Sequence, residues 1–479
     1  MRLLFCCEFY YPSRGGVQEV MRQVAERMAA AGHEITVATS YLPERNCALH
    51  NGVKIRDFKA AGNAIRGMVG DIDRYRNFVR EFDGDAILIK AAQQWTFDAL
   101  WPVLDQIKAR KIFIPCGFSG FYEKAYAAYF TELLYVLRKF DHLVFYAERY
   151  RDIDFARAHG LTNYSILPNG ASELEFEVPI EQAFRERLGI PDDAFIFLTV
   201  GSPVNAKGHS QVAEAFARLN IGGRRATLIL NGNWPKPPMT AGEVTEGATP
   251  PSRRAGGIIS RGVIRAGRIV GIIRREGWMG FKMRAKPYLF RAKSYVIRAM
   301  PYLTSVRPYL KRWAAASGIE KWVKRANAQI GKQVLCADLS RPDLVQAFMA
   351  ADLFVFASNV EYSPLVLFEA AAAGTPFLSV PVGNAEEIAR WTGGGMICPA
   401  AKDERGYTRV DPSVLAREME RCMGDPDMLE RIGAAGKESW RRKFTWQVIA
   451  PQYEAILSGR TCGKGPQEPM TGEAVASGQ

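Results

Sequence analysis

The chain has 479 residues, of which 48% are hydrophobic and 24% are charged. These values are ordinary for a globular protein, so they exclude wholesale disorder, a collagen and a small disulfide scaffold. The formal net charge of +13 is uneven, because residues 235–330 hold 20 basic and 4 acidic residues whereas the rest of the chain holds 43 and 46. The sequence therefore predicts a near-neutral protein of two or more domains that carries one strongly basic segment.

The sequence has little that indicates a targeting segment or a metal site. The eight cysteines are too few for a disulfide framework, and no Cys-x-x-Cys pair indicates a zinc or redox site. Glu8 interrupts the first apolar run, unlike the apolar core of a secretory signal peptide. No stretch of about 20 apolar residues, the length that spans a bilayer, occurs. We therefore expect a cytoplasmic protein with no metal site and no transmembrane helix.

Short apolar runs alternate with helical segments over residues 1–170, which predicts a parallel sheet covered by helices on both faces. The loop Ser13–Gly16 leads into an amphipathic helix predicted over Val17–Ala31. The predicted strands of this half are Arg2–Phe5, Ile35–Ala38, Ala86–Ile89, Lys111–Ile114, Leu143–Phe145 and Ser165–Leu167.

A second α/β unit is predicted after Pro191. The pattern halts at Asn231 and resumes at Gln333, so the basic segment between them is predicted to be an insertion within one domain. The predicted strands and helices of this unit are Phe195–Val200, His209–Leu219, Ala226–Leu230, Gln333–Cys336, Arg341–Ala350, Leu353–Phe356, Pro364–Ala373 and Phe377–Ser379.

The insertion has a linker part, residues 236–257, and a basic amphipathic part, residues 258–325. In the first helical turns of this part, arginines lie on one face and aliphatic residues on the opposite face. This arrangement favours a lipid interface over a nucleic-acid groove. Prolines within the following heptads predict kinked or broken helical turns. The alternative is a packed helical subdomain with solvated charges. Four tyrosines recur every seven residues in these heptads, at Tyr288, Tyr295, Tyr302 and Tyr309.

Three strand-to-helix loops hold candidate functional residues. Gly15 and Gly16 open the first helix, where a ligand phosphate could approach the backbone; the alternative is a tight turn without a ligand. Lys207 ends the loop Gly201–Gly208, where its ammonium could neutralise a diphosphate leaving group; the alternative is a solvated surface lysine.

The third loop carries Glu361 and is followed by a helix that carries Glu369. Ser363 is predicted to cap this helix, Pro364 to be its first residue and Gly374 to end it. The two carboxylates could accept hydrogen bonds from sugar hydroxyls. Free amides at the start of the helix could bind phosphate, and they belong to Leu365 and Val366.

Glu361 to Glu369, followed by AAAAGTP, resembles the E-x7-E signature of retaining family 4 glycosyltransferases with the GT-B fold. Further pieces of the chain are similar to that family in the same order. They are GGVQEVMRQVAERMAAAGHEITVAT, ILPNG, FLTVGSPVNAKGH, ADLFVFAS, PVGNAEEI and KFTWQVIAPQYEAIL. The resemblance covers nearly all of residues 1–234 and 331–457 but not the insertion.

The resemblance implies an α/β architecture of two Rossmann-like domains facing a cleft, and the basic helical insertion predicted above falls within the second domain. The implied first domain covers residues 1–185, and the second covers 186–234 and 331–445. The resemblance also implies a crossover helix 446–458 that returns to the first domain. The remaining predicted segments rest on pattern and composition: the insertion 235–330 and a Gly-, Pro- and polar-rich tail, 459–479, that is predicted to be disordered.

The resemblance also implies roles for single residues. Glu369 would bind the ribose hydroxyls of a nucleotide-sugar, Glu361 would contact the transferred sugar, and Lys207 would stabilise the departing diphosphate. Gly15 and Gly16 would let the donor come close to the first domain. Neither a metal nor another cofactor is implied, because the nucleotide-sugar is a substrate.

Two positions depart from the family pattern. Ser202 stands where the family usually has an arginine beside the donor phosphates, and Cys116 stands where many members have a histidine. The predicted function is sugar transfer to a glycan or lipid-linked acceptor of polysaccharide biosynthesis, on the inner face of the cytoplasmic membrane. An anionic membrane is expected to bind residues 258–325, and no nucleic acid is expected as a partner. The alternatives are a membrane-bound scaffold with a degenerate transferase core and a GT-B-fold sugar-nucleotide epimerase.

Overall fold

The computed structural model describes residues 1–234 and 318–460. Nearly all of the predicted membrane-binding segment and of the predicted disordered tail lies outside the described residues. The predicted domain boundaries stay predictions. Within the described ranges, no helix is both long and apolar enough to cross a bilayer.

A mostly parallel sheet forms the centre of the first unit. It has eight strands in the order β10-β9-β8-β7-β1-β2-β4-β3, and β3 alone is antiparallel to its neighbour. A separate antiparallel pair is formed by β5 and β6. The strands are β1 (Arg2–Cys6), β2 (Glu34–Ser40), β3 (Leu49–His50), β4 (Val53–Phe58), β5 (Ala60–Asn63), β6 (Gly67–Gly70), β7 (Ala86–Lys90), β8 (Arg110–Ile114), β9 (His142–Phe145) and β10 (Tyr164–Ile166).

Helices connect these strands. They are α1 (Gly16–Ala30), α2 (Ile72–Arg80), α3 (Trp95–Asp98), α4 (Ala127–Leu137), α5 (Arg151–Ala158), α6 (Glu173–Phe176) and α7 (Phe184–Arg187), and two short 3-10 helices cover Trp101–Gln106 and Lys124–Tyr126. The face of α1 that carries Val20, Met21, Val24 and Met28 is buried, as its periodicity predicts.

The second unit is built on a parallel sheet of six strands in the order β13-β12-β11-β14-β15-β16. This is the strand order of dinucleotide-binding Rossmann domains. A short antiparallel hairpin, β17 with β18, follows it. The strands are β11 (Ala194–Val200), β12 (Arg225–Asn231), β13 (Lys332–Ala337), β14 (Leu353–Phe356), β15 (Phe377–Ser379), β16 (Gly395–Ile397), β17 (Ala401–Lys402) and β18 (Thr408–Arg409).

The helices of the second unit follow its strands, apart from α9, which the structure describes from residue 318. They are α8 (His209–Arg218), α9 (residues 318–327), α10 (Arg341–Ala350), α11 (Leu365–Ala373), α12 (Ala385–Thr392), α13 (Pro412–Met423), α14 (Pro426–Ser439) and α15 (Trp446–Leu457), with a 3-10 helix over Asn205–Lys207 and a π-helix over Trp440–Phe444.

The last helix packs on the first unit. Trp446, Ile449 and Tyr453 of α15 are buried in the same apolar cluster as Phe5 of β1 and Val24 of α1. Burial of such large side chains contributes about 1.5–3 kcal/mol each. The C-terminal end of the described chain is thereby fixed to the first sheet.

Candidate active site

The strand order places the candidate loops at the carboxyl ends of the sheets. In an open parallel sheet, ligands bind where the strand order reverses. In the second unit this point lies between β11 and β14. The loop after β11 carries Lys207 and the loop after β14 carries Glu361, so the topology brings these two predicted residues to one crevice.

Lys207 and Glu361 form an ion pair, with Nζ of the lysine 2.5 Å from Oε1 of the glutamate. The Ser358 hydroxyl donates to the same carboxylate oxygen at 2.8 Å. The Lys207 side chain is 35% exposed and that of Glu361 is 15% exposed. A ligand can therefore reach the Lys207 ammonium, while Lys207 and Ser358 fix the position of the Glu361 carboxylate.

Gly208 makes this geometry possible. It adopts a φ of +73°, and a Cβ atom at this position would lie 1.8 Å from the carbonyl oxygen of Ala357. Only glycine fits such a close approach at a positive φ. The N-terminal end of α8 is thus drawn against the end of β14, which places the preceding Lys207 beside the Glu361 loop.

The helix α11 begins one residue later than predicted. Pro364, not Ser363, is the N-cap, and the first helical residue is Leu365. The Asn169 amide donates to the Ser363 carbonyl at 3.1 Å, which keeps the loop extended. The first turn of a helix leaves its amides without helical acceptors, so those of Leu365 and Val366 remain candidate phosphate ligands. Gly374 ends the helix at a φ of +80°, as predicted.

Gly16 lies close to this helix start. A Cβ atom added at Gly16 would be 3.8 Å from Cδ1 of Leu365. At Gly15 it would be 2.6 Å from the flexible side chain of Gln18. The predicted glycine loop of the first unit therefore approaches the predicted phosphate-binding turn of the second unit.

Glu369 lies further along α11 and is 8% exposed. The Arg341 guanidinium donates to Glu369 Oε1 at 2.6 Å and to both carboxylate oxygens of Glu175 at 3.0 and 2.8 Å. Burial raises the pKa of Glu369, and the charge of Arg341 opposes that rise. The candidate ribose ligand is thus already held in place by a cation that the sequence analysis did not single out.

Ser202 is turned toward the end of β12. Its hydroxyl donates to Oδ1 of Asn233 at 3.5 Å, a long hydrogen bond. The structure records its polar contact there and not with the Lys207–Glu361 pair. Cys116 follows β8 with a φ of +62°, and burial raises the pKa of its thiol to about 11. The thiol is therefore neutral at physiological pH.

Residues of the first unit hold the Glu361 loop. The Tyr150 hydroxyl donates to the Glu361 carbonyl at 2.6 Å, and the Tyr146 amide donates to the Tyr362 hydroxyl at 2.9 Å. The ring of Tyr362 stacks on that of Tyr146, with centroids 5.6 Å apart. Sequence reasoning missed these tyrosines because their partners are about 210 residues away in the chain.

A cavity of about 770 Å³ opens beside Glu361. Both units line it, through the loop after β9 in the first unit and the loops after β14 and β15 and the β17–β18 hairpin in the second. A volume of this size is within the usual range for small-molecule sites. Within residues 1–234 and 318–460, no three His, Cys, Asp or Glu side chains are grouped as metal ligands.

Comparisons with known proteins agree with this architecture. Residues 290–425 match the family described as Glycosyl transferases group 1. A 120-residue segment is 32% identical to the mannosylfructose-phosphate synthase of Agrobacterium fabrum. The matched segment covers 25% of this chain and 24% of that protein. The matched segment thus spans about a quarter of the curated relative.

Solved structures match over almost the whole chain. Sucrose-phosphate synthase from Thermosynechococcus elongatus superimposes with a TM-score of 0.63 at 15% identity, over 95% of this chain and 98% of the other. Anabaena HepE in complex with UDP-glucose gives a TM-score of 0.59 at 13% identity, over 96% and 100%. The predicted GT-B fold, two Rossmann-like domains with parallel sheets, is confirmed.

Proposed function

We propose that the protein is a retaining glycosyltransferase of family 4 that moves a sugar from a nucleotide-sugar to an acceptor. The observation that carries the proposal is the Lys207–Glu361 pair beside the uncapped start of α11. A sugar diphosphate needs positive groups for its phosphates and an acceptor for its sugar hydroxyls. The partly exposed ammonium and the free helical amides provide the first, and the fixed carboxylate provides the second. The match of residues 290–425 to a glycosyl transferase family supports it.

In this proposal the positive groups act on the leaving diphosphate. An ammonium has three donors, and only one is needed for Glu361. Lys207 can therefore also donate to the diphosphate as the bond to the sugar breaks, together with the amides of Leu365 and Val366. Fixed donors aimed at developing charge are the largest source of stabilisation in such steps. We infer that no metal cofactor is required, because these groups supply the positive charge.

The two carboxylates have separate roles in the proposal. Glu361 accepts a hydrogen bond from a hydroxyl of the transferred sugar, and Glu369 accepts from the ribose hydroxyls. Arg341 orients Glu369 for this contact. Gly15 and Gly16 leave room for the donor beside the first unit, and Ser202, in the same loop as Lys207, is a further donor contact of the proposal. The acceptor attacks from the face that the diphosphate leaves, which retains the anomeric configuration.

A donor screen tests the proposal. UDP-, GDP- and ADP-sugars are incubated with the protein, with and without EDTA, and nucleoside diphosphate release is measured. One donor should be hydrolysed slowly without an acceptor, EDTA should not change the rate, and NMR of a transfer product should show retention. Binding without turnover of any donor would favour the scaffold alternative, and an epimerised sugar-nucleotide would favour the epimerase.

We further propose that the acceptor is presented at an anionic membrane, to which residues 258–325 bind. The support is the sequence alone, since each basic residue near such a surface contributes about 1 kcal/mol. Deletion of residues 240–325 should abolish binding to phosphatidylglycerol vesicles, and added salt should release the intact protein. Equal vesicle binding by the deletion variant would contradict membrane docking, and loss of nucleotide binding would indicate a packed subdomain.

A further inference from the structure

The cavity beside Glu361 is lined by basic side chains that have no role in the proposed binding of the donor. Four basic side chains on its wall have no carboxylate partner in the described part of the chain. They are Arg149, Arg151, Lys402 and Arg405. In the first unit, Arg149 lies in the loop after β9 and Arg151 is the first residue of α5. The other two come from the β17–β18 hairpin of the second unit, so the charges face one space from both units.

The acidic residues of the same cavity are mostly engaged. Glu148 accepts from Arg390 at 2.6 Å, and Glu361 is paired with Lys207. The Glu387 carboxylate accepts the backbone amides of Glu148 and Arg149, both at 2.8 Å.

The two remaining acids do not change this balance. Asp154 lies 3.9 Å from Arg157, and among the cavity's acids only Glu386 has no partner that the structure records. Glu386 and Glu387 are thus two carboxylates without a cation partner, against four cations without a carboxylate partner, so the cavity keeps a net positive charge. A net positive cavity concentrates anionic ligands.

Arg151 is held in place by aromatic side chains rather than by an acid. Its guanidinium carbon lies 5.3 Å from the ring centre of Tyr122 and 4.9 Å from that of Tyr150, and it donates to the Tyr150 hydroxyl at 2.7 Å. Stacking of this kind fixes the guanidinium plane and leaves donors free for a ligand. The same Tyr150 donates to the Glu361 carbonyl, which ties this cation to the proposed sugar site.

The hairpin brings the second pair of cations to the same space. Asp403 accepts the amides of Arg405 and Tyr407 at 3.0 and 2.9 Å, which shapes the turn. The Asp403 carboxylate also binds the Arg409 side chain, so the side chain of Arg405 stays unpaired. A Cβ atom at Gly406 would lie 3.9 Å from Tyr122, so the turn reaches the aromatic residue on which Arg151 stacks.

We propose that the acceptor carries a phosphate group, and that Arg149, Arg151, Lys402 and Arg405 bind that group in this cavity. The inference rests on the proposed transferase function, because it places the phosphate-bearing acceptor next to the sugar that Glu361 contacts. Guanidinium groups bind phosphate through two parallel hydrogen bonds, and several converging cations offset its double charge. A soluble sugar phosphate and a lipid-linked diphosphate share this chemistry.

Calorimetric titrations into full-length protein saturated with nucleoside diphosphate test the assignment, since the donor phosphate site is then filled. The probes are glucose, glucuronate, glucose 6-phosphate and farnesyl diphosphate. At least one phosphate probe should bind about tenfold more tightly than glucose and glucuronate, and the tighter of the two identifies the source. The double variant Arg151→Gln with Arg405→Gln should lose at least about tenfold in affinity for that probe, as expected for removed charge-assisted contacts.

Arg138→Gln is the matched control, because this exposed arginine at the C-terminal end of α4 lies outside the cavity. It should bind the phosphate probe like the wild type, and circular dichroism should show that all variants are folded. Equal binding of glucose and both phosphate probes, or unchanged affinity in the folded double variant, would overturn the inference. Tight glucuronate binding would overturn the choice of phosphate. Failure of the wild type to bind any nucleoside diphosphate or nucleotide-sugar would instead contradict the transferase function.

Discussion

Replacement of Lys207 by methionine removes the ammonium while it keeps most of the side-chain volume. In the proposed mechanism this charge acts on the departing diphosphate, so the substitution should lower turnover more than it lowers stability. Glu361 keeps the hydrogen bond from the Ser358 hydroxyl after the change, so its carboxylate is not left without a partner.

The size of the effect follows from the exposure of the pair. A charge-assisted hydrogen bond contributes about 1.5–3 kcal/mol. Because the lysine side chain is 35% exposed and solvent screens it, we expect the lower half of that range. This corresponds to a loss of about 10- to 50-fold in turnover. The free energy of unfolding should fall by less than about 1 kcal/mol, as for other partly exposed ion pairs.

The assay is nucleoside diphosphate release at saturating donor, combined with urea unfolding followed by circular dichroism. Lys207→Arg should retain much of the activity because it keeps a positive charge, although its geometry differs. Lys108→Met serves as the matched control, since this lysine is exposed just before β8 and outside the crevice. Turnover of Lys207→Met within twofold of the wild type, or a loss fully explained by unfolding, would refute the assignment.

Three further substitutions probe binding and stability. Glu369→Gln should weaken nucleoside diphosphate binding about tenfold in calorimetry; Glu132→Gln, at an exposed position of α4, is its control, and wild-type affinity in Glu369→Gln would contradict the ribose contact. Burial raises the pKa of Asp152 from 3.8 to about 6, so its contribution to stability is present below pH 4 and is lost as the pH rises through 6. Asp152→Asn should remove up to about 3 kcal/mol from the difference between the free energies of unfolding at pH 4 and pH 7, measured in urea. An unchanged difference would contradict the raised pKa of Asp152. Gly208→Ala should cost at least about 2 kcal/mol, against about 1 kcal/mol for Gly32→Ala, which has a positive φ but open space; equal unfolding free energies would disprove the steric argument.

The parallel sheets were predictable because their strands are buried on both faces. Every residue of β7 is buried, so Ala86–Lys90 appears in the sequence as one apolar run apart from its lysine. The predicted strands Leu353–Phe356 and Phe377–Ser379 have the observed ends. Runs of this kind depend on local composition alone, and each lies between helical patterns that fix its limits.

The antiparallel hairpins were not predictable in the same way. The strands β5 and β6 are short and rich in glycine, and β6 is largely exposed. The β17–β18 hairpin has two residues in each strand and a charged turn. Such segments look like ordinary polar loops, because their pairing depends on where the rest of the fold places them. Lys402 and Arg405 of the proposed phosphate site were missed for the same reason.

Within the candidate site, the sequence singled out candidate residues by their type and their place after buried strands, and the structure brings two of them, Lys207 and Glu361, together. It did not predict how they are held. Arg341 looked like an ordinary first residue of α10, yet its guanidinium joins Glu175 to Glu369. These partners are 166 and 28 residues away, so no local pattern connects them.

The Glu361 loop shows why two separate units are needed to build one site. Its carboxylate is fixed by Lys207 and Ser358 of the second unit, but its backbone is fixed by Tyr150 of the first. Tyr362, the next residue, is held by hydrogen bonding and stacking to Tyr146, also of the first unit. The second unit alone would therefore contain Glu361 without the contacts that position its loop, and the geometry that the proposed transfer needs depends on the two units being packed together.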